Sequence, residues 1–166
     1  MPDAAAPVLV AIDFSPDSDS AFAWAVDAAN AFEAPLLVLH VVHEPATSPG
    51  YYSRSVEPMA ELEEVAEQML AERLEKLRTK CPRAEELSEL TSRVVVGLPV
   101  GRILEVAEQA GAQLIVMGGQ GRSGLADALL GSKVERVARL AKIPLTIVRA
   151  TKADSSTAPD SDEAGR

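Results

Sequence analysis

The stretch Leu114-Ile115-Val116-Met117-Gly118-Gly119-Gln120-Gly121-Arg122-Ser123-Gly124, with Gly131-Ser132 beginning ten residues after Gly121, decides the reading of this chain. A short apolar run stops in a cluster of four glycines, and a second Gly-Ser opens an amphipathic helical pattern. Glycine lets backbone N–H groups approach a ligand with no Cβ in the way. A helix N-terminus adds unpaired N–H donors and the positive end of the dipole. Strand, Gly-rich turn and helix start are together the parts of an anion site, usually one for phosphate.

Working outward, apolar runs rich in β-branched residues recur at 8–12, 36–42, 92–96, 113–117 and 144–148. Continuous runs of this kind indicate strands buried on both faces, hence a parallel sheet. Helical patterns lie between them. Phe22, Val26 and Ala29 share one face; Leu62, Val65, Met69, Leu70, Leu74 and Leu77 form a second stripe. Ile103, Val106, Ala107 and Ala110 line a third, and Val134, Val137, Leu140 and Ala141 a fourth. The alternation predicts an α/β fold with right-handed crossovers and a doubly wound sheet, helices on both faces. Residues 1–150 read as one domain. The tail 151–166, rich in Ser, Ala and Asp without apolar periodicity, reads as disordered. The Pro- and Gly-containing stretch 43–56 reads as a long loop, and the Glu-dense face of the helix over 57–80 as solvated surface.

Composition excludes several classes. A net charge of −9 argues against nucleic acid, which binds through clustered Lys and Arg. No apolar run approaches the ~20 residues of a membrane span. Met1-Pro2-Asp3-Ala4-Ala5-Ala6 carries an acid and no basic region before an apolar stretch, so no secretory signal is expected there. The single cysteine, Cys81, rules out an intrachain disulfide, which suits a reducing cytoplasm, and reads as an inert thiol. Two histidines and one cysteine make no zinc motif, and no nucleophile stands in a pattern with a general base. His40 reads as a core histidine.

Among phosphate motifs, a Walker A loop needs Gly-Lys-Ser/Thr, and Gly131-Ser132-Lys133 inverts that order. Gly119-x-Gly121-x-x-Gly124 matches the dinucleotide fingerprint literally, but the acidic residue due about 20 positions on is missing. The remaining pattern is Gly118-x-x-Gly121, nine residues, then Gly131-Ser132. It resembles the nucleotide-binding signature of the universal stress protein family. The resemblance extends to Val8–Ser15 with its Asp-x-Ser ending, Leu36–Val42, Val96–Ile103 with Gly-x-Pro, and Ala141–Arg149. In order and spacing it covers residues 7 to 149. Gly119-Gln120 departs from the hydroxyl and His or charged residues that many members carry there, leaving the glycines intact.

The resemblance implies a five-stranded parallel sheet of order 3-2-1-4-5. Ligands of doubly wound folds sit beyond the strand carboxyl ends where the order reverses, here between the strands ending at Asp13 and at Met117-Gly118. The family pattern then implies an ATP site with Mg²⁺ carried by the nucleotide. Ala11 and Val41 would flank adenine, and Asp13 would take ribose hydroxyls or the Mg²⁺ shell. Met117, Gly118, Gly121, Gly131 and Ser132 would cradle ribose and phosphates, with Arg122 and Lys133 as further phosphate partners. Bland alternatives stand beside these: Asp13 as a local cap, Gly131 as a turn glycine, Ser15-Pro16-Asp17 as an N-cap, Pro at N1 and a first-turn acid. Adenylating enzymes with a similar sheet need a Ser-Gly-Gly loop after the first strand, where this chain has Asp13-Phe14-Ser15-Pro16. The expected function is therefore an ATP-binding stress-response regulator, homodimeric through the apolar last strand, with at most slow hydrolysis. The alternative is a nucleotide-independent dimer of the same fold.

Overall fold

The computed structural model describes residues 5–43, 57–120 and 130–150. Strands β1 (Val8–Ala11), β2 (Leu36–His43), β3 (Leu90–Gly97), β4 (Leu114–Gly118) and β5 (Leu145–Val148) alternate with helices α1 (Pro16–Ala31), α2 (Glu57–Lys80), α3 (Pro99–Gln109) and α4 (Ser132–Leu140). A short 3-10 turn, Pro82–Glu86, follows α2; the sequence reading did not foresee it. The strands form one parallel sheet of order β3-β2-β1-β4-β5. Among the described residues no helix is long and apolar enough to cross a membrane.

The central strands are mostly apolar because both their faces are covered. On one face Val8, Val10, Val38 and Val116 pack with Phe22, Val26, Leu70 and Leu74 of α1 and α2. On the other, Leu9, Leu39, Ile115 and Met117 pack with Ile103, Val106, Val134 and Val137 of α3 and α4. Successive strand residues point to opposite faces, so each face draws alternate residues of one continuous run.

Two helical stripes differ from their expected faces. In α2 the buried residues are Ala66, Leu70, Leu74 and Leu77, whereas Leu62, Val65 and Met69 are 42%, 55% and 47% exposed. At 100° per residue, 62, 65 and 69 form a separate stripe beside that of 66, 70, 74 and 77, and only the latter meets the sheet. In α4 Val134 and Val137 are buried, but Leu140 is 56% exposed. It lies about 120° round the helix from Val134 and is the last helical residue. The faces of Phe22, Val26 and Ala29 in α1, and of Ile103, Val106 and Ala107 in α3, are buried; Ala110 is only partly so.

The register sets the geometry of the site. Ala11 stands opposite Leu39 on one side and Met117 on the other. Strands β1 and β4 therefore end at nearly one level while β2 runs on to His43, and the chain leaves β1 and β4 toward opposite faces of the sheet. The stretch 44–56, the loop residues 121–129 and the tail from 151 lie outside the described residues.

Candidate functional site

Strand β1 passes into α1 through only Ile12, Asp13, Phe14 and Ser15. So sharp a change of direction puts Phe14 in the left-handed region, φ 65°, a conformation that costs a non-glycine residue about 1–3 kcal/mol and clusters at functional sites. The turn is held by side chains. Asp13 Oδ1 accepts from the Ser15 N–H at 3.1 Å and from the Ser15 hydroxyl at 2.5 Å. Ser15 Oγ in turn accepts from the Ser18 N–H at 3.2 Å, the N-cap bond expected of it. Asp13 thus does cap local backbone, and it also lines a cavity described below. His40 Nδ1 lies 2.7 Å from the Ile12 carbonyl, and its ring packs tilted on Phe14 with centroids 4.5 Å apart. That is the structural histidine the strand pattern suggested.

At the end of β4 the glycines have separate tasks. A Cβ at Gly118 would lie 2.8 Å from the carbonyl carbon of Asp17 and 2.8 Å from the nitrogen of Ser18. Glycine is needed here so that the first turn of α1 can lie against the strand. The sequence argument had attributed the same requirement to a ligand. Gly119 N–H donates to the Val148 carbonyl at 2.7 Å, and its own carbonyl accepts from Gly131 N–H at 2.9 Å. The second bond brings the start of α4 back to the end of β4.

Between these turns lies a cavity of about 290 Å³. Its apolar lining is Ala11, Ile12, Leu39, Val41, Pro99, Ile103, Met117 and Val134; Asp13, Ser18, Ser132 and Lys133 supply polar side chains, with Gly118 and Gly131 completing the wall. Of ten residues proposed from sequence, the structure brings eight to this cavity: Ala11, Asp13, Val41, Met117, Gly118, Gly131, Ser132 and Lys133. The other two, Gly121 and Arg122, lie outside the described residues. The sequence reading missed Ile12, Ser18, Leu39, Pro99, Ile103 and Val134. Pro99 and Ile103 come from α3, whose Gly-x-Pro entry figures in the sequence only as part of the family resemblance.

Three helix starts converge on the cavity. Residues from the first turns of α1, α3 and α4 all line it; α1 is capped by Ser15, α3 opens on Pro99, which has no N–H, and α4 has no side-chain cap. Uncapped helix starts are anion-binding elements, each dipole contributing about 0.3–1 kcal/mol and direct charge-assisted bonds about 1.5–3 kcal/mol. Lys133 adds a formal positive charge beside Ser132. An apolar floor with convergent donors at one side suits a ligand with a flat hydrophobic part and an anionic part.

The Universal stress protein family model matches residues 6–149. A universal stress protein of Mycobacterium tuberculosis is 36% identical over 146 residues, covering 87% of this chain and 45% of that protein. The chain spans about half the length of the mycobacterial relatives it matches. Among solved structures, a universal stress protein from Lactobacillus plantarum aligns with TM-score 0.68 at 25% identity, covering 88% of this chain and 99% of that one. A universal stress protein solved in complex with cAMP aligns with TM-score 0.55 at 28% identity, covering 90% and 100%.

Proposed function

The chain belongs to the universal stress protein family, and from that premise we propose that it binds an adenine nucleotide, ATP with Mg²⁺ carried on the phosphates, as a homodimeric stress-response regulator with at most slow hydrolysis. The observation that carries this is the convergence of eight of the ten residues implied by the family resemblance on one cavity at the reversal of strand order, beside the uncapped start of α4. Adenine lies on the apolar floor between Ala11 and Val41. Asp13 takes the ribose hydroxyls or the metal shell. The phosphates run toward Gly131, Ser132 and Lys133, with Gly121 and Arg122 as further contacts. A volume of about 290 Å³ is at the lower end for small-molecule sites, which suits an enclosed nucleoside with phosphates at the mouth. A related protein binding cAMP, an adenine nucleotide, supports the same ligand class. The apolar edge strand β5, paired among the described residues with β4 alone, is the proposed dimer contact, because an exposed apolar edge invites pairing.

The second reading, a nucleotide-independent dimer, draws on two findings. Asp13 caps the turn after β1, and Gly118 accommodates α1. Neither residue needs a ligand to account for it. Calorimetry separates the two readings. Mg-ATP should bind in the micromolar range, roughly −7 to −9 kcal/mol. Ser132→Ala should weaken it by about 1–3 kcal/mol, the loss of one charge-assisted bond. Asp13→Ala should weaken adenosine as well if the carboxylate grips ribose, and ATP chiefly with Mg²⁺ if it serves the metal. No uptake at millimolar nucleotide leaves the second reading.

A further inference from the structure

One carboxylate outside the expected set holds together three elements that are far apart in sequence. Asp17 is the second residue of α1. Its Oδ2 accepts from the Gln120 N–H at 2.8 Å, and its Oδ1 from the Ala150 N–H at 2.9 Å. Gln120 lies two residues beyond β4, and Ala150 two residues beyond the edge strand β5. The same corner is tied twice more. Val148 accepts from the Gly119 N–H, and the Arg149 stem lies over Gly119, so close that a Cβ there would stand 3.0 Å from Arg149 Cγ. Gly118 and Gly131 line the cavity, and Gly131 is bonded to Gly119. An unbroken set of contacts therefore runs from the cavity wall to the free edge of the sheet, and its two amides share a single acceptor group.

We infer that Asp17 is a positioning residue that transmits occupancy of the cavity to the edge strand β5. This inference rests on the nucleotide reading above. Its physical content is that Gln120 and Ala150 cannot shift independently while one rigid carboxylate accepts from both. A ligand that orders the wall at Gly118, Gly119 and Gly131 then orders the end of β5 as well. By linkage, whatever pairs with β5 would favour the ligand. The simpler role for Asp17, a first-turn acid complementing the helix dipole, leads to a different result: loss of its charge would change stability slightly and transmit nothing.

The test is amide hydrogen exchange on the full chain with and without saturating Mg-ATP, in wild type, Asp17→Asn and Asp19→Asn. Asn keeps the volume but cannot accept from both amides, since its NH₂ group only donates. Asp19 is also a first-turn acid, but its carboxylate bonds Arg73 of α2, away from β4 and β5, so it controls for charge. In wild type and Asp19→Asn, Mg-ATP should slow exchange at Ser132 and at Ala150 by about five-fold or more, the lower end of coupling between sites. In Asp17→Asn it should slow Ser132 and leave Ala150 unchanged. A response at Ser132 without one at Ala150 in wild type overturns the inference while sparing the nucleotide reading. So does a response at Ala150 that survives in Asp17→Asn. No response at either amide in wild type overturns both. Should the Asn variant fail to fold, Asp17→Ser, whose single hydroxyl oxygen cannot replace the two carboxylate oxygens, carries the same expectation.

Discussion

Replacing Gly118 by alanine tests why glycine stands at the end of β4. The added Cβ would lie 2.8 Å from Asp17 C, 2.8 Å from Ser18 N and 2.9 Å from Asp17 Cβ. Carbon atoms pack best at about 3.5–4.0 Å, so the two carbon contacts are roughly 0.6–1.2 Å too short. Two of the three atoms are backbone of a capped helix turn and cannot swing aside as the end of a side chain can. The start of α1 must retreat, and with it the Ser15 cap and both Asp17 bonds. Overpacking generally costs about 1–3 kcal/mol; a backbone obstacle places this case at about 2–3 kcal/mol. At roughly 2–4 °C per kcal/mol for a domain of this size, Tm should fall by about 4–12 °C. Differential scanning calorimetry without nucleotide measures it, with Gly101→Ala as the control. A Cβ at Gly101, inside α3, meets nothing within 4 Å; alanine there should raise stability by about 0.5–1 kcal/mol. If Gly118→Ala melts within a degree of wild type and loses only nucleotide, the packing argument is wrong and the glycine is kept for the ligand.

Ile147→Lys should weaken the proposed dimer, read as a shift toward monomer in light scattering at tens of micromolar protein. Because Ile147 also packs against the core beneath α3 and α4, circular dichroism must show the variant folded, and a monomeric wild type would refute the interface. Removing residues 152–166 should leave Tm and ATP affinity nearly unchanged, since that stretch holds too little apolar surface to dock; a fall of more than a few degrees would mean it packs on the body. Burial raises the pKa of the Cys81 thiol, and the negative charge of Asp27 adds to this, partly offset by a backbone hydrogen bond from Ala84. Alkylation of the folded protein should therefore keep accelerating with pH beyond the range of an ordinary thiol. With the folded-state pKa raised, the neutral thiol's contribution to stability is complete at neutral pH and is lost as pH climbs through the folded value. A rate that levels off at or below the ordinary thiol range would refute this.

Much of the architecture was legible because burial leaves a local imprint. A strand covered on both faces must be apolar at every position, so Val8–Ile12 and Leu114–Met117 announced central parallel strands. A capped helix start must carry Ser15-Pro16 or its equivalent. The strand order and the residue roles at the cavity came from family resemblance, while the glycine spacing and the rule for strand-order reversal pointed to its place in the sheet. Local pattern could not say which of two adjacent apolar stripes on α2 would meet the sheet. Both the 62-65-69 and the 66-70-74-77 stripes have helical period, and only the placement of neighbouring elements selects one. Nor could it give Gly118 its reason, because the obstacle is the backbone of a helix about 100 residues earlier. Asp17 is the clearest case: in sequence it is an acid near a helix start, which the dipole alone explains. Its partners, Gln120 and Ala150, are 103 and 133 positions away. Periodicity and capping record what each residue's own element requires. Which distant backbone amides a single carboxylate meets is set by how elements from opposite ends of the chain pack side by side, and that only the tertiary structure decided.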